Sequence, residues 1–207
     1  MGDELRGESL VHLNVRFSTE TELKEFQDLL YEKSGQGISF TGLLEAMVNE
    51  ATIVTAVHNI KSNKGSKTAG ADGVSMDRYL QMPRNELITL IKTTFANYKP
   101  KPARRVYIPK SNGKERPLGI STMLDRIVQE CVRIILEPIC EARFCPHSYG
   151  FHPYRAQKHA IHDIINVINA GCKSPDQPVW AVEGDIKGCF DITFEKKARK
   201  DGSRVLK

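Results

Sequence analysis

Residues 104–120 read RRVYIPKSNGKERPLGI. From Arg104 to Ile108 the side chains alternate in the two-residue period of a strand. Ser111, Asn112, Gly113 and Lys114 then form a turn, with Asn-Gly as a strong local hairpin signal. Arg116 to Ile120 is the returning strand, so the stretch predicts a β-hairpin. It is also basic. Between Lys99 and Arg116 lie Lys99, Lys101, Arg104, Arg105, Lys110, Lys114 and Arg116, against the single acid Glu115. Such a patch suits phosphates. On charge alone, a solvated surface loop accounts for it equally well.

The flanks of the hairpin read as helices. Upstream, Leu87, Leu90, Ile91 and Phe95 give helical spacing over Asn85 to Tyr98. Lys99-Pro100-Lys101-Pro102 ends that helix, because proline lacks the amide donor and clashes with the preceding turn. Downstream, Ser121 or Thr122 can cap a helix whose buried stripe is Leu124, Ile127, Val128, Cys131, Val132 and Ile135, with Pro138 near its end. After a loop from Phe144 to Tyr154, Ala160, Ile161, Ile164, Ile165 and Ile168 predict a further helix, packed as core, that stops at Gly171.

Toward the N-terminus, residues 1 to about 40 are polar. A short helix is expected over Glu20 to Tyr31 through Leu23, Phe26, Leu29 and Leu30, and Ser34 to Gly37 reads as a linker. One helix is expected from Thr41 to Ile60, with Leu44, Met47, Ala51, Val54 and Val57 at helical spacing. The loop Lys61 to Gly73 is too polar for a core; it reads as a movable cover or a phosphate contact. Near the other end, Val179 to Ile186 reads as a strand. Trp180, Val182, Gly184 and Ile186 share one face and Val179, Ala181, Glu183 and Asp185 the other. Two adjacent carboxylates at an open surface are unfavourable unless a cation neutralises them.

Composition sets the outer bounds. Forty per cent of the 207 residues are apolar and 27% are charged, as in ordinary globular proteins. The net charge of +5 permits a nucleic-acid partner without demanding one. No apolar run approaches the roughly 20 residues of a transmembrane helix, and no membrane partner is expected. The polar, acidic start is unlike a secretory leader, so the expected location is cytoplasmic. Five cysteines without a close CxxC pair suggest free thiols. Cys140, Cys145, His147 and His152 fit no common zinc spacing. His159 and His162 share a helix but no metal motif surrounds them. Oligomeric state leaves no trace in the sequence.

Four segments, in order, resemble one family. Asn63-Lys64-Gly65 through Gly70-Ala71-Asp72-Gly73 looks like the N-terminal extension of group II intron reverse transcriptases. Arg104 to Lys110, Gly113 to Ile120 and Asp125 to Gln129 resemble their first fingers motif. Ser148-Tyr149-Gly150-Phe151, with Pro153 and Arg155, resembles the second. Glu183-Gly184-Asp185-Ile186-Lys187-Gly188-Cys189-Phe190-Asp191 resembles motif A of the palm. The resemblance runs from about residue 43 to 192. It implies an α+β, right-hand polymerase fold: fingers of helices and a β-hairpin, then the first palm strand, as a truncated reverse transcriptase. The implied divisions are a polar segment over 1–40, the extension helix and loop over 41–80, fingers over 81–178, the start of the palm over 179–192, and a divergent tail over 193–207.

The implied activity is RNA-directed DNA polymerisation, in which a primer 3′-hydroxyl attacks the α-phosphate of a dNTP held by two divalent ions. By resemblance Asp185 is a catalytic metal ligand, helped by the backbone carbonyl of Ile186. The implied ion is magnesium, with manganese as the alternative, because hard ions take carboxylate oxygens. Lys110 and Arg116 match residues that grip the triphosphate, with Arg104 a weaker candidate. Phe190 occupies the sugar-gate position, where a ring crowds a ribose 2′-hydroxyl; a plain core phenylalanine is the other reading. Phe151 and Arg155 shape the nucleotide or template pocket, or else pack. Asp191 reads as a structural hydrogen-bonding residue. The implied partners are an RNA template or intron RNA, a DNA primer and dNTP.

The sequence also departs from the family. His152 stands where arginine is usual, and Tyr154 where glycine is usual. The 207 residues contain no Asp-Asp pair, so the tyrosine-x-aspartate-aspartate carboxylates are missing and the resemblance fades after Asp191. The expectation is a chain that does not polymerise by itself. The competing reading is an intron-RNA-binding, maturase-type module that aids splicing without polymerase activity.

Overall fold

A computed structural model of the protein describes residues 9–109, 111, 113, 115–171 and 180–186. They form an α+β arrangement that divides into two units, Met1–Ser148 and Tyr149–Lys207. The first unit begins with β1 (Leu10–His12), α1 (Glu20–Gly35) and β2 (Ser39–Thr41). The two short strands pair in parallel, with Leu10 opposite Ser39 and His12 opposite Thr41, so α1 is the crossover that parallel pairing requires. The start of α1 is set locally. The Thr19 hydroxyl accepts from the Glu22 amide, and the Glu22 carboxylate accepts from the Thr19 amide at 3.1 Å. These hydrogen bonds, with those from Ser18, hold the exposed Glu22 carboxyl below its ordinary pKa.

The single helix expected over Thr41 to Ile60 is two helices, α2 (Leu43–Met47) and α3 (Glu50–Ser62). Gly42, at φ 81°, takes the left-handed backbone that lets the chain leave β2 and turn into α2. Asn49 starts α3 by accepting from the Ala51 amide at 2.9 Å. The break rotates the buried face. Ala51, Ile53, Ala56, Val57 and Ile60 are core, whereas Leu44 and Val54 from the expected stripe are exposed. α4 (Met76–Leu80) and α5 (Arg84–Ala96) follow, and then the hairpin of β3 (Arg104–Pro109) and β4 (Glu115–Ile120).

α6 (Met123–Glu141) is the centre of this unit and touches α1, α2, α3 and α5. Thr122 caps it, and Met123, Ile127, Cys131, Ile134 and Ile135 are buried along it. Burial pushes the Cys131 thiol up to about 12. Between α3 and α6, the Glu130 carboxylate accepts from Asn59 at 2.9 Å and pairs with Arg133 at 2.6 Å. Burial alone would raise the Glu130 pKa, but those two hydrogen-bonding partners outweigh it and hold the carboxyl below its usual range.

Pro138 lies inside α6, near its end at Glu141, as the sequence reading has it. Proline has no N–H, so the carbonyl four residues earlier, on Ile134, loses its intrahelical donor. Gln27 of α1 supplies the replacement, donating from Nε2 to the Ile134 oxygen at 2.8 Å. One turn on, the Ser34 hydroxyl donates to the Ile139 oxygen at 2.8 Å. α1 thus docks on α6 through carbonyls that α6 cannot satisfy alone. Gln27→Ala is expected to cost about 1.5 kcal/mol by urea denaturation, since it strands a part-buried acceptor. In a Pro138→Ala background, where alanine restores the helical donor, the same change should cost about 0.5 kcal/mol or less. Equal costs in the two backgrounds would contradict this account.

The second unit contains α7 (Gln157–Gly171). The helix is where the sequence predicts it, but its stripe is not core. Ile161, Ile164, Ile165, Val167 and Ile168 are all exposed. The strand expected over Val179 to Ile186 is likewise not found: residues 180–186 have no regular structure and Val182 is 99% exposed. A strand is defined by a pairing ladder, and among the described residues none pairs with this segment. Val179 lies outside the described residues. Among them, no helix is long and apolar enough to cross a membrane.

Candidate nucleic-acid interface

The hairpin is antiparallel, with Arg104 opposite Ile120, Val106 opposite Leu118 and Ile108 opposite Arg116. Residues directly opposite share a face. One face therefore carries Arg104 and Arg116 with Val106, Ile108, Leu118 and Ile120 between and beside them. At about 3.3 Å per residue, the two arginines are about 13 Å apart along the ribbon. The other face carries Arg105 and Tyr107. Tyr107 is 55% exposed, an aromatic ring on a basic ribbon that sequence reading passed over. The strand alternation was a signal that could have found it. Gly113, at φ 74°, takes the left-handed conformation its turn requires. Lys110 and Lys114 lie outside the described residues.

The loop after α3 is fixed beside the hairpin's root. Its first part is a 3-10 turn (Lys64–Lys67). The Arg104 guanidinium donates to the Ala69 oxygen at 3.0 Å. Arg126, on the first turn of α6, donates from Nε to the Ser121 oxygen at 3.1 Å, from Nη1 to Gly65 at 3.0 Å and from Nη2 to Thr68 at 3.0 Å. Gly70 is pressed onto the same place. A Cβ there would sit 2.6 Å from the Thr122 Cα, so any larger residue would push the loop off. Lys64 and Lys67 are exposed on the loop so held, and Lys61 is exposed on the last turn of α3.

Asp125, beside Arg126, holds the hairpin's other root. It is 4% exposed. Its carboxylate accepts from the Tyr98 hydroxyl at 3.0 Å, the Lys101 amide at 3.3 Å and the Thr122 hydroxyl at 2.6 Å. Burial, and then the bond to Asp125, pushes the Tyr98 phenol pKa up, so Tyr98 stays a donor. Sequence reading placed Asp125 and Arg126 in a motif without a role. Their bonds go largely to backbone atoms, which leave no mark in the sequence.

The remaining expected residues belong to the second unit. Asp185 and Ile186 are exposed on the irregular segment, with Glu183 two positions before Asp185. Phe151 is fully exposed at φ 63°. Tyr154 is also exposed, at φ 60°, a left-handed conformation that costs a tyrosine about 1 kcal/mol and a glycine nothing. Position 154 is where Tyr154 replaces the expected glycine, and its backbone explains why glycine suits it. Arg155 is half-buried. Tyr149 hydrogen-bonds Asp163. The His159 ring accepts from the Ala156 amide at 3.1 Å and His162 contacts Asn166 at 3.1 Å, so both histidines have polar partners. Phe190 and Asp191 lie outside the described residues.

Among the described residues no three His, Cys, Asp or Glu side chains gather to hold a metal. Glu183 and Asp185 do match the donor chemistry of magnesium, which often takes one or two carboxylates and fills its shell with water and substrate phosphates.

No family model matches the chain. Individual proteins do. LtrA, a group II intron-encoded protein of Lactococcus lactis subsp. cremoris, is 40% identical over 153 residues, which is 73% of this chain and 24% of LtrA. Protein YkfC of Escherichia coli K12 is 38% identical over 166 residues, 76% of this chain and 41% of YkfC. A COX1/OXI3 intron 1 protein of Saccharomyces cerevisiae is 33% identical over 201 residues, 93% of this chain and 22% of that protein. The chain spans less than half the length of each. LtrA and the yeast protein are by name intron proteins, and that is the class they define. The chain belongs to the group II intron-encoded family, which includes intron reverse transcriptases and maturases.

Proposed function

We propose that this chain is the RNA- and nucleotide-gripping part of a group II intron-type reverse transcriptase, with its first unit acting as right-hand fingers. The observation that carries this is a basic hairpin whose two roots, at Lys101 and Ser121, are tied to α6, next to a lysine-bearing loop fixed on the same helix turn. Pre-set cations bind a phosphate backbone without first having to be ordered. Arg104 and Arg116 face one way and Arg105 with Tyr107 the other. The first pair would contact a triphosphate, a role the resemblance also gives Lys110, and Tyr107 offers a ring on which a base can stack. Asp185 and the Ile186 carbonyl would contribute ligands to magnesium, which when bound holds the phosphate oxygens that react. Phe190 would exclude a 2′-hydroxyl, and Phe151 and Arg155 would border the nucleotide or template.

The maturase-type reading shares the RNA surface and is favoured for the isolated chain by one observation: Asp185 stands on an exposed, irregular segment. RNA binding is therefore the activity to test first. Labelled RNA titrated in fluorescence anisotropy should bind with an affinity that falls steeply with salt. The double change Arg105→Glu and Arg116→Glu should weaken binding at least tenfold and flatten the salt slope by about two. Unchanged affinity would remove the hairpin from the RNA interface.

A further inference from the structure

Arg126 sits within the segment that resembles the first fingers motif, where a basic residue invites assignment as a phosphate ligand. The geometry points to a different role, which rests on the RNA-binding reading above. We propose that Arg126 is a positioning residue that latches the 64–70 loop onto the start of α6, so that Lys64 and Lys67 stand as fixed contacts for the phosphates of bound RNA.

Three observations converge on the latch. First, the Arg126 guanidinium spends its three nitrogens on carbonyls of three residues, Ser121 beside it and Gly65 and Thr68 across the loop. The planar fork can do this because its donors point in fixed, separate directions. Second, Gly70 lies so close to Ser121 and Thr122 that a single methyl group would clash with backbone atoms, 2.6 Å from one and 2.8 Å from the other. Third, Arg104 on the hairpin donates to Ala69, between the Arg126 contacts and Gly70. The loop is polar and has no buried side chain in its 3-10 turn to anchor it, so these contacts substitute for a core. They set where Lys64 and Lys67 stand relative to the hairpin arginines. An ordered loop binds RNA without the entropy cost of fixing it at that moment.

A phosphate ligand and a latch respond differently to lysine. Arg126→Lys keeps the charge, but its donors radiate from one nitrogen and cannot reproduce the fork that reaches three carbonyls from three nitrogens. The full chain is titrated with a labelled single-stranded RNA over a series of salt concentrations, and amide exchange is followed across residues 64–70. The latch requires Arg126→Lys to weaken RNA binding about tenfold, to flatten the salt slope by about two although the net charge is unchanged, and to speed exchange in the loop. Gly70→Ala, which opens the loop from its other end and leaves Arg126 intact, should do the same. Wild-type affinity and slope in Arg126→Lys would overturn the inference, as would unaltered exchange in both variants. If the wild-type chain binds no RNA, the reading beneath the inference has failed and the RNA role falls with it. Exchange in the two variants then still decides whether the latch itself exists.

Discussion

Replacing Asp125 with alanine should destabilise the first unit by about 3 kcal/mol and lower its melting temperature by about 10 °C. Three donors converge on this carboxylate: the Tyr98 hydroxyl, the Lys101 amide and the Thr122 hydroxyl. Each lies in a part-buried or buried setting, so removing the acceptor leaves polar groups without their bonds as well as opening space. Lys101 stands between Pro100 and Pro102, neither of which has an amide to donate, so its N–H is the backbone tie available there. Without it, the approach to β3 is free to move and the hairpin loses one root. Asp125→Asn keeps one acceptor oxygen but turns an amide NH2 toward donors, and should fall between wild type and alanine. Thermal melts by circular dichroism give the order. An alanine variant within about 1 kcal/mol of wild type would mean that the hub contributes little.

The second large effect concerns chemistry. The 207-residue chain, given an RNA template, an annealed DNA primer, dNTPs and magnesium, should yield no extended primer above a control without protein. Two-metal phosphoryl transfer clamps the attacking and leaving oxygens together and needs carboxylates placed around both ions. The chain offers Glu183 and Asp185 on an exposed segment without regular structure, and its sequence has no Asp-Asp pair. Manganese in place of magnesium should not change the outcome, because the shortage is of ligands rather than of affinity. Robust template-dependent synthesis, resolved on a sequencing gel, would refute this and restore polymerisation to the chain alone.

The parts of the fold that sequence predicts are those with local causes. The hairpin follows from strand alternation and an Asn-Gly turn, α1 and α6 follow from helical spacing and caps, and α5 follows from spacing alone. β1 and β2 have three residues each, too few for any period to show. The expected helix over Thr41 to Ile60 ignored two local signals, Gly42 and the capping Asn49, because the apolar spacing ran through them. Pro138 stood where expected, near the end of α6, but the α1 side chain that satisfies the carbonyl it leaves open could not be read locally. The site was legible as a basic ribbon but not as a fixed one. Arg126 acts through backbone carbonyls and Asp125 in part through the Lys101 amide, groups that any residue could supply, while the Tyr98 hydroxyl that Asp125 also accepts from is 27 positions away in the chain. For α7 the periodicity was right and its burial was not: spacing reveals that a face is apolar, but not whether the partner lies among the described residues.

The replacement of a missing helical donor by Gln27 has a consequence for how this protein can change over generations. Positions 27 and 138 are distant in the chain but should be inherited as one character. Lineages that lose the glutamine should first lose the proline, and those that keep the proline should retain a side chain at 27 able to donate. The order of substitutions is constrained because one path crosses a weakened intermediate and the other does not.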